Sequence, residues 1–323
     1  MTSLPTRGAA PSSAAAPAAW RWWLLTATCF AASCLMHLQF SLWLVRPRGT
    51  PWGQHALSEL VPAAAALGGL LLGGFVVRQI RRSPQPRLLA AAWLLWAAAV
   101  FAIDRYLTYS TNEYLHYPQY ALLAWLVART LDPLRSRWIP GRVLFWTTLL
   151  GAVDELLQYL WITASYSNYF DFNDVLTNLV AAVAGVLLFY GSATRPASCA
   201  KEGRWPRLEA GVVVTVALLV VAGIASDWLQ LVPGDTVAPG GLARESSGRW
   251  TLYLQRSADQ YGSWQSGPRR GVHYVLRPGE GLLGLAIAAA FLTAFGRRFG
   301  AAQPGGRGED AATISPSSDG KSR

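Results

Sequence analysis

The sequence predicts an all-α fold: a polytopic helical membrane bundle of about eight transmembrane helices, with a small extracytoplasmic β-containing segment. Three observations lead to this prediction. Of the 323 residues, 52% are hydrophobic and only 14% are charged. The apolar residues come in blocks close to the roughly 20 residues that a helix needs to cross a bilayer. Arginines are concentrated beside alternate blocks, as the positive-inside rule predicts for a multi-pass protein.

The apolar blocks define eight expected spans and the segments between them. We place the spans at 22–45, 61–77, 88–103, 114–131, 143–162, 174–190, 209–229 and 281–295. The chain then divides into a disordered lead (1–19), three N-terminal helices (20–103), a three-helix core (104–190), a basic loop with the seventh helix (191–229), an extracytoplasmic segment (230–280), the last helix (281–295) and a disordered cytoplasmic tail (296–323).

The basic residues indicate membrane orientation rather than nucleic-acid binding. The formal net charge is +10, but the cations lie in short loops next to spans, as Arg78, Arg81 and Arg82 do after the second span. The alternate loops, 163–173 among them, carry few cations. We therefore expect a protein of the cell (cytoplasmic) membrane with both termini in the cytoplasm and no nucleic-acid partner.

The fifth span contains polar residues that neither a helix cap nor a solvated loop explains. In "GAVDELLQYLWI", residues 151–162, Asp154 and Glu155 lie inside an apolar stretch, and Gln158 follows one turn further out. A carboxylate at the bilayer centre costs about 2.5–3.5 kcal/mol on insertion scales. Intramembrane carboxylates normally face the bundle interior and mark functional sites, which is the interpretation we favour for this pair.

The two neighbouring spans place further polar residues at a similar depth. The fourth span begins with Glu113 and His116, and Tyr120 lies one turn deeper on the face of His116. The sixth begins with Asp171 and Asp174, and Asn178 is one turn deeper on the face of Asp174. The small residues Ala181, Ala182 and Gly185 continue that face and favour close approach of another helix.

Structural interpretations of the same residues remain open. Glu113 follows Ser110 by three positions, which is the spacing of a capping box at a helix start. Asp171 and Asp174 are also typical of N-terminal helix charges that the macrodipole favours. Neither interpretation applies to Asp154.

Three further features carry simpler expectations. Gly68, Gly69, Gly73 and Gly74 in the second span predict tight helix packing. The segment 230–280 alternates in "RWTLYLQRS" and "VHYVLRP", which favours strands, and its His273 is expected on a solvated surface. The three cysteines have no metal-ligand spacing, so neither a disulfide nor a zinc site is expected.

The combined pattern resembles a known family. Glu113-x-x-His116-x-x-x-Tyr120, then Asp154-Glu155-x-x-Gln158, then Asp171-x-x-Asp174-x-x-x-Asn178 with Gly185, is similar to the VanZ-like membrane proteins over roughly residues 100–190. The family often has an arginine shortly before the final aspartate, where this chain has Asn168 and Tyr169. The resemblance implies a link to glycopeptide resistance, particularly to teicoplanin, and does not imply a mechanism.

Three classes of function fit these residues, and the first is a binding or accessory protein of the cell envelope. Its partner would be a membrane lipid or a lipid-linked envelope precursor, recognised on the outer side through His116, Gln158 and Asn178. The neighbouring carboxylates would orient these donors or hold a cation that bridges to phosphate.

The second class is an intramembrane enzyme that acts on a lipid phosphate or glycolipid. Asp154, Glu155 and Asp174 would bind Mg²⁺ or another hard divalent cation, and His116 would transfer protons. The third is a proton-coupled transporter, for which the sequence shows no convincing inverted repeat. We favour the first class because no nucleophile motif or phosphate loop is present, so no reaction can be written. The sequence does not specify an oligomeric state.

Overall fold

A computed structural model of the protein describes residues 16–45, 48–50, 53–55, 57–133, 135, 138–164, 167–191, 207–233, 238, 240–269 and 271–301. Within these ranges the chain forms eight α-helices: α1 (Ala16–Val45), α2 (Val61–Arg82), α3 (Pro86–Tyr106), α4 (His116–Leu131), α5 (Pro140–Leu157), α6 (Phe172–Gly191), α7 (Arg207–Ala225) and α8 (Pro278–Ala301). The strands are β1 (Arg48–Thr50), β2 (Gly53–His55), β3 (Leu229–Gln230), β4 (Leu242–Arg244), β5 (Trp250–Tyr253), β6 (Trp264–Gly267) and β7 (Gly271–Tyr274). The predicted lead and most of the predicted tail lie outside the described residues.

The helical bundle is confirmed, whereas the count of eight transmembrane helices is not supported. Each predicted span falls on a helix, but only α2, α3, α6 and α7 are long and apolar enough to cross a membrane among the described residues. The polar site accounts for part of the difference. The helix α4 has only 16 residues, and α5 carries Asp154 and Glu155 within its 18 residues.

The interior of the bundle is centred on α4, which packs against α1, α5 and α6. The predicted small-residue face of α6 is confirmed here, because Ala181 and Ala182 are fully buried. A Cβ added at Gly185 would overlap the carbonyl oxygen of Ala121 and lie 2.9 Å from the Cβ of Ala124. The backbones of α4 and α6 therefore approach too closely for any side chain at this position.

The glycines of α2 do not have the predicted role. A Cβ added at Gly68, Gly69, Gly73 or Gly74 would meet nothing within 4 Å. These residues lie on a face of α2 that no other described residue covers. The prediction of tight packing was wrong for this single chain, because a glycine pattern does not specify which face of a helix is covered.

The strands predicted for the segment 230–280 are present, and we call residues 229–277 the cap. Strand β5 pairs with β3 in parallel and with β4 antiparallel, while β6 and β7 form an antiparallel hairpin. The cap packs onto the ends of α3, α5 and α6. The hydroxyl of Tyr159 donates to the carbonyl of Tyr253 at 2.7 Å, and the backbone N–H of Phe170 donates to the carbonyl of Leu254 at 2.8 Å.

Asn173 and Arg269 provide further side-chain contacts between the cap and the bundle. Asn173 donates to the carbonyls of Leu107 and Tyr274 at 3.0 and 2.7 Å, and it accepts from the N–H of Leu276 at 3.0 Å. Arg269 forms an ion pair with Asp104 at the end of α3, and both side chains are only partly exposed. The cap is thereby held at the end of the bundle where the predicted polar residues lie.

His273 corrects an expectation about the cap. Its side chain is 3% exposed and lies against the ring of Tyr109, with the ring centroids 5.1 Å apart. Burial lowers the pKa of His273 below its ordinary value. The prediction of a solvated surface was wrong because β7 turns this position toward the bundle.

The substitution Gly185→Ala is expected to destabilise the protein by about 1–3 kcal/mol, because the added methyl group forces α4 and α6 apart. Thermal unfolding of the detergent-purified protein measures the effect. Gly69→Ala is the matched control, since its added methyl meets open space and alanine favours a helix. Equal melting temperatures for the two variants would contradict the close approach of α4 and α6.

The substitution Arg269→Gln is expected to loosen the cap, because it removes a cation that neutralises the carboxylate of Asp104. Limited proteolysis should cut the segment 229–277 faster in this variant than in the wild type. Arg249→Gln is the control, because its contact with Asp227 is 3.9 Å long and both side chains are exposed. Unchanged cleavage in Arg269→Gln would show that the cap is held by other contacts alone.

Candidate functional site

The polar residues predicted on three spans converge around the side chain of Asn178. Its Oδ1 lies 2.7 Å from Nδ1 of His116, and its Nδ2 donates to Oε1 of Glu155 at 3.1 Å. His116, Glu155 and Asn178 are each at most 4% exposed. One amide thus joins α4, α5 and α6 within the bundle interior.

This network determines which nitrogen of His116 carries a proton. The NH₂ group of Asn178 faces Glu155, to which it donates. Its carbonyl oxygen then faces His116 and accepts the Nδ1–H. The other ring nitrogen, Nε2, is directed toward Oδ2 of Asp174 at 3.8 Å.

A second contact joins α4 to α5 beside the first. The hydroxyl of Tyr120 donates to Oδ2 of Asp154 at 2.6 Å, and its ring is stacked on that of His116 with centroids 6.0 Å apart. The Oδ1 of Asp154 is buried and has no hydrogen-bond partner among the described residues. Asp154 is completely buried, so half of its carboxylate is an unused acceptor.

The helix α5 ends in a wide turn directly after the two carboxylates. Residues Gln158–Ile162 form a π-helical turn, a feature found frequently at functional sites. Gln158 is 7% exposed, and its Nε2 has no hydrogen-bond partner among the described residues. The site therefore contains an unused donor as well as unused acceptors.

Of the three carboxylates nearer the end of the bundle, Glu113 and Asp171 cap helices and Asp174 does not. Glu113 accepts from the backbone N–H groups of Tyr109 and Ser110, which confirms the capping interpretation. Asp171 accepts from the N–H of Asn173 at 2.8 Å and caps α6. Asp174 does not cap, since its carboxylate is directed at His116.

Burial changes the acidity of the two capping groups. It raises the pKa of Asp171 to about 8, and the charge of Asp174 adds to the rise. Burial likewise raises the pKa of Glu113 well above its ordinary value, with Asp174 and then Asp171 as further causes. These carboxyls are partly exposed, and with Asp174 they form the more open side of the site.

The site is acidic and has no basic counterpart. Among the residues that the structure describes, no lysine or arginine forms an ion pair with Asp154, Glu155 or Asp174. Ligand atoms of His116, Glu155 and Asp174 all lie within 4.8 Å of one another. The sequence predicted Asp154 as a possible metal ligand together with Glu155 and Asp174. In the structure His116 takes its place in the set, because Asp154 accepts a hydrogen bond from Tyr120.

Two residues of the site were missed by the sequence analysis. A Cβ added at Gly151 would lie 3.1 Å from the ring of Tyr120 and 3.2 Å from Cβ of Asn178, so this glycine lets both side chains reach α5. Gly151 precedes Asp154 by three residues and so shares its helix face, a signal that was available. Cys34 of α1 is buried beside Asp154, and no sequence pattern indicates this.

No protein-family model, curated protein or solved structure matches the chain. The resemblance to the VanZ-like family therefore stays a prediction. The geometry defines a class only in coarse terms: a helical bundle, compatible with a membrane protein, with an acidic histidine-containing cluster at one end.

The substitution Tyr120→Phe is expected to cost about 0.6–1.7 kcal/mol of stability, the range for one interhelical hydrogen bond in a membrane protein. Thermal unfolding in detergent provides the measurement. Tyr117→Phe is the matched control, because the hydroxyl of Tyr117 has no hydrogen-bond partner in the described part of the chain. If both variants melt at the wild-type temperature, the Tyr120–Asp154 contact does not stabilise the bundle.

Proposed function

We propose that the protein is a multi-pass protein of the cell membrane that binds the polar headgroup of a membrane lipid or a lipid-linked envelope precursor. In this proposal it has a binding or accessory role in the envelope. The observation that carries the proposal is the gradient of exposure in the site. Asp154 and Asn178 are completely buried, whereas Asp171, Asp174 and Glu113 at the end of the bundle are partly exposed.

The chemistry of the cluster favours a headgroup rich in hydroxyl groups. Unused acceptors at Asp154 and Asp174 receive hydrogen bonds from hydroxyls, and the unused NH₂ of Gln158 donates to an oxygen. A bare phosphate would be repelled by the uncompensated carboxylates, so a phosphate-bearing headgroup needs a cation at the site. Sugar-bearing lipids and cation-bridged phosphates are therefore the partners that fit.

The orientation belongs to the same proposal. Arg78, Arg81 and Arg82 lie at the end of α2 opposite the polar cluster, and Arg142 and Arg207 begin α5 and α7 at that opposite end. The positive-inside rule puts this end in the cytoplasm together with both termini. The polar cluster and the cap then face outward, where envelope precursors are exposed.

The resemblance to the VanZ-like family supports an envelope role and extends the proposal to glycopeptide resistance. The resemblance rests on three sequence patterns, of which the first contains Glu113, His116 and Tyr120. The chain lacks the arginine that the family often carries before Asp174. A ligand held through that arginine in other members would be held here by different groups.

An intramembrane metal-dependent enzyme is the second candidate function. One observation favours it: one ligand atom from each of His116, Glu155 and Asp174 lies within 4.8 Å of the other two. Such a mixed histidine and carboxylate set can hold a metal that polarises a phosphoryl oxygen. A proton-coupled transporter ranks below both, because the sequence shows no convincing inverted repeat to support alternating access.

The substitutions His116→Ala and Asp154→Asn are expected to leave membrane insertion intact and to weaken lipid binding at least about tenfold, equivalent to 1.4 kcal/mol. Native mass spectrometry of the purified protein measures binding of a polyprenyl phosphate, a diglucosyl diacylglycerol and phosphatidylcholine. Phosphatidylcholine, which has neither sugar nor net charge, should bind with no dependence on either residue.

The control variant is Asp227→Asn, which changes an exposed carboxylate in the turn between α7 and β3. It should bind all three lipids as the wild type does. Equal loss of folded protein in His116→Ala and Asp154→Asn would assign the cluster a purely structural role. Wild-type lipid binding by both variants would contradict the proposed site.

A further inference from the structure

We infer that His116, Glu155 and Asp174 bind one divalent cation that accepts both imidazole and carboxylate ligands, such as Zn²⁺ or Mn²⁺. The three ligand atoms lie within 4.8 Å of one another. They come from α4, α5 and α6, so a single ion would join the three helices. The nitrogen ligand distinguishes this site from the carboxylate-only Mg²⁺ site that the sequence predicts.

The separations fit a shared ion better than direct contacts. Nε2 of His116 is 3.8 Å from Oδ2 of Asp174, which is too long for a hydrogen bond. Two ligands about 2.1 Å from a tetrahedral ion are separated by about 3.4 Å. Small rotations of the side chains therefore bring both atoms into coordination distance.

The orientation of the His116 ring gives a second reason. Its Nδ1–H is donated to Asn178, so Nε2 is the ring nitrogen that faces the carboxylate of Asp174. Asn178 also resembles the outer partners that orient metal-binding histidines, which accept the hydrogen from the second ring nitrogen.

Independent evidence comes from buried polar atoms that are not among the three ligand atoms. Asp154 is completely buried, and its Oδ1 has no hydrogen-bond partner in the described ranges. The second carboxylate oxygen of Asp174, Oδ1, is likewise without a partner there. Burying an acceptor without a partner is costly, and a cation at this point would offset that cost.

The bound ion would also explain how an acidic site accepts a phosphate-bearing headgroup. A divalent cation offsets the charges of Glu155 and Asp174 and leaves coordination positions for oxygen atoms of the ligand. This role of the ion rests on the proposed function, whereas the ion site itself does not.

The test measures metal content and metal-dependent stability of the full-length protein in detergent. Protein purified without chelator is assayed by inductively coupled plasma mass spectrometry, then stripped with EDTA and titrated separately with Zn²⁺, Mn²⁺ and Mg²⁺ while thermal unfolding is followed. We expect about one ion per chain and a rise in melting temperature with Zn²⁺ or Mn²⁺ that exceeds the rise with Mg²⁺.

The variants Glu155→Gln and Asp174→Asn should weaken ion binding by about tenfold or more, while Asp227→Asn binds as the wild type does. Asp174 is partly exposed, so Asp174→Asn is the variant expected to remain folded if Glu155→Gln does not. Less than a tenth of an ion per chain with no thermal shift, or wild-type affinity in Asp174→Asn, would overturn the inference and leave a hydrogen-bonded, ion-free cluster.

The lipid measurement separates this inference from the proposed function. Ion binding without any dependence of lipid binding on His116 and Asp154 would support the ion site and contradict the proposed function. If the wild type retains no ion and still binds lipid through His116 and Asp154, the result would support the proposed function and contradict the ion site.

Discussion

The constraint on which the structure depends is the burial of Asp154 and Glu155 inside a helical bundle. Two adjacent carboxylates cannot be left without partners in an apolar environment, because the cost is several kcal/mol for each. The neighbouring helices supply the partners: Tyr120 donates to Asp154 from α4, and Asn178 donates to Glu155 from α6. The position of α5 relative to α4 and α6 is therefore fixed by polar contacts as well as by packing.

Close packing of the helices allows these hydrogen bonds to form. Short side-chain hydrogen bonds need closely spaced helices, and Gly185 and Gly151 permit this by leaving space for Ala121, Tyr120 and Asn178. The cap is attached to the same end of the bundle through Asn173 and Arg269. The burial of Asp154, Glu155 and Asn178 strengthens the electrostatic interactions among them.

Much of the site could be predicted from the sequence because charge inside an apolar stretch is a strong signal. The helical spacing of His116 with Tyr120, and of Asp174 with Asn178, correctly placed each pair on one face. The spacing could not separate a capping carboxylate such as Asp171 from a site carboxylate such as Asp174, since both positions occur in the first turn. That distinction depends on where α4 lies relative to α6, which is a tertiary property.

The failures of sequence analysis also have physical causes. The sequence does not reveal whether another part of the fold covers a given residue. The glycines of α2 lie on an uncovered face, whereas His273 of the cap is buried. The count of eight membrane-crossing helices is not supported, in part because α4 is short and α5 is polar, although both pack at the centre of the bundle.

The most direct test of the buried network is a double-mutant cycle between Glu155 and Asn178, measured by SDS-induced unfolding in bicelles. Each side chain is replaced by alanine singly and together, and the free energies of unfolding are compared. If the amide joins α5 to α6 as described, the two substitutions should be non-additive by about 1 kcal/mol or more. Additive effects, within about 0.3 kcal/mol, would contradict a shared network.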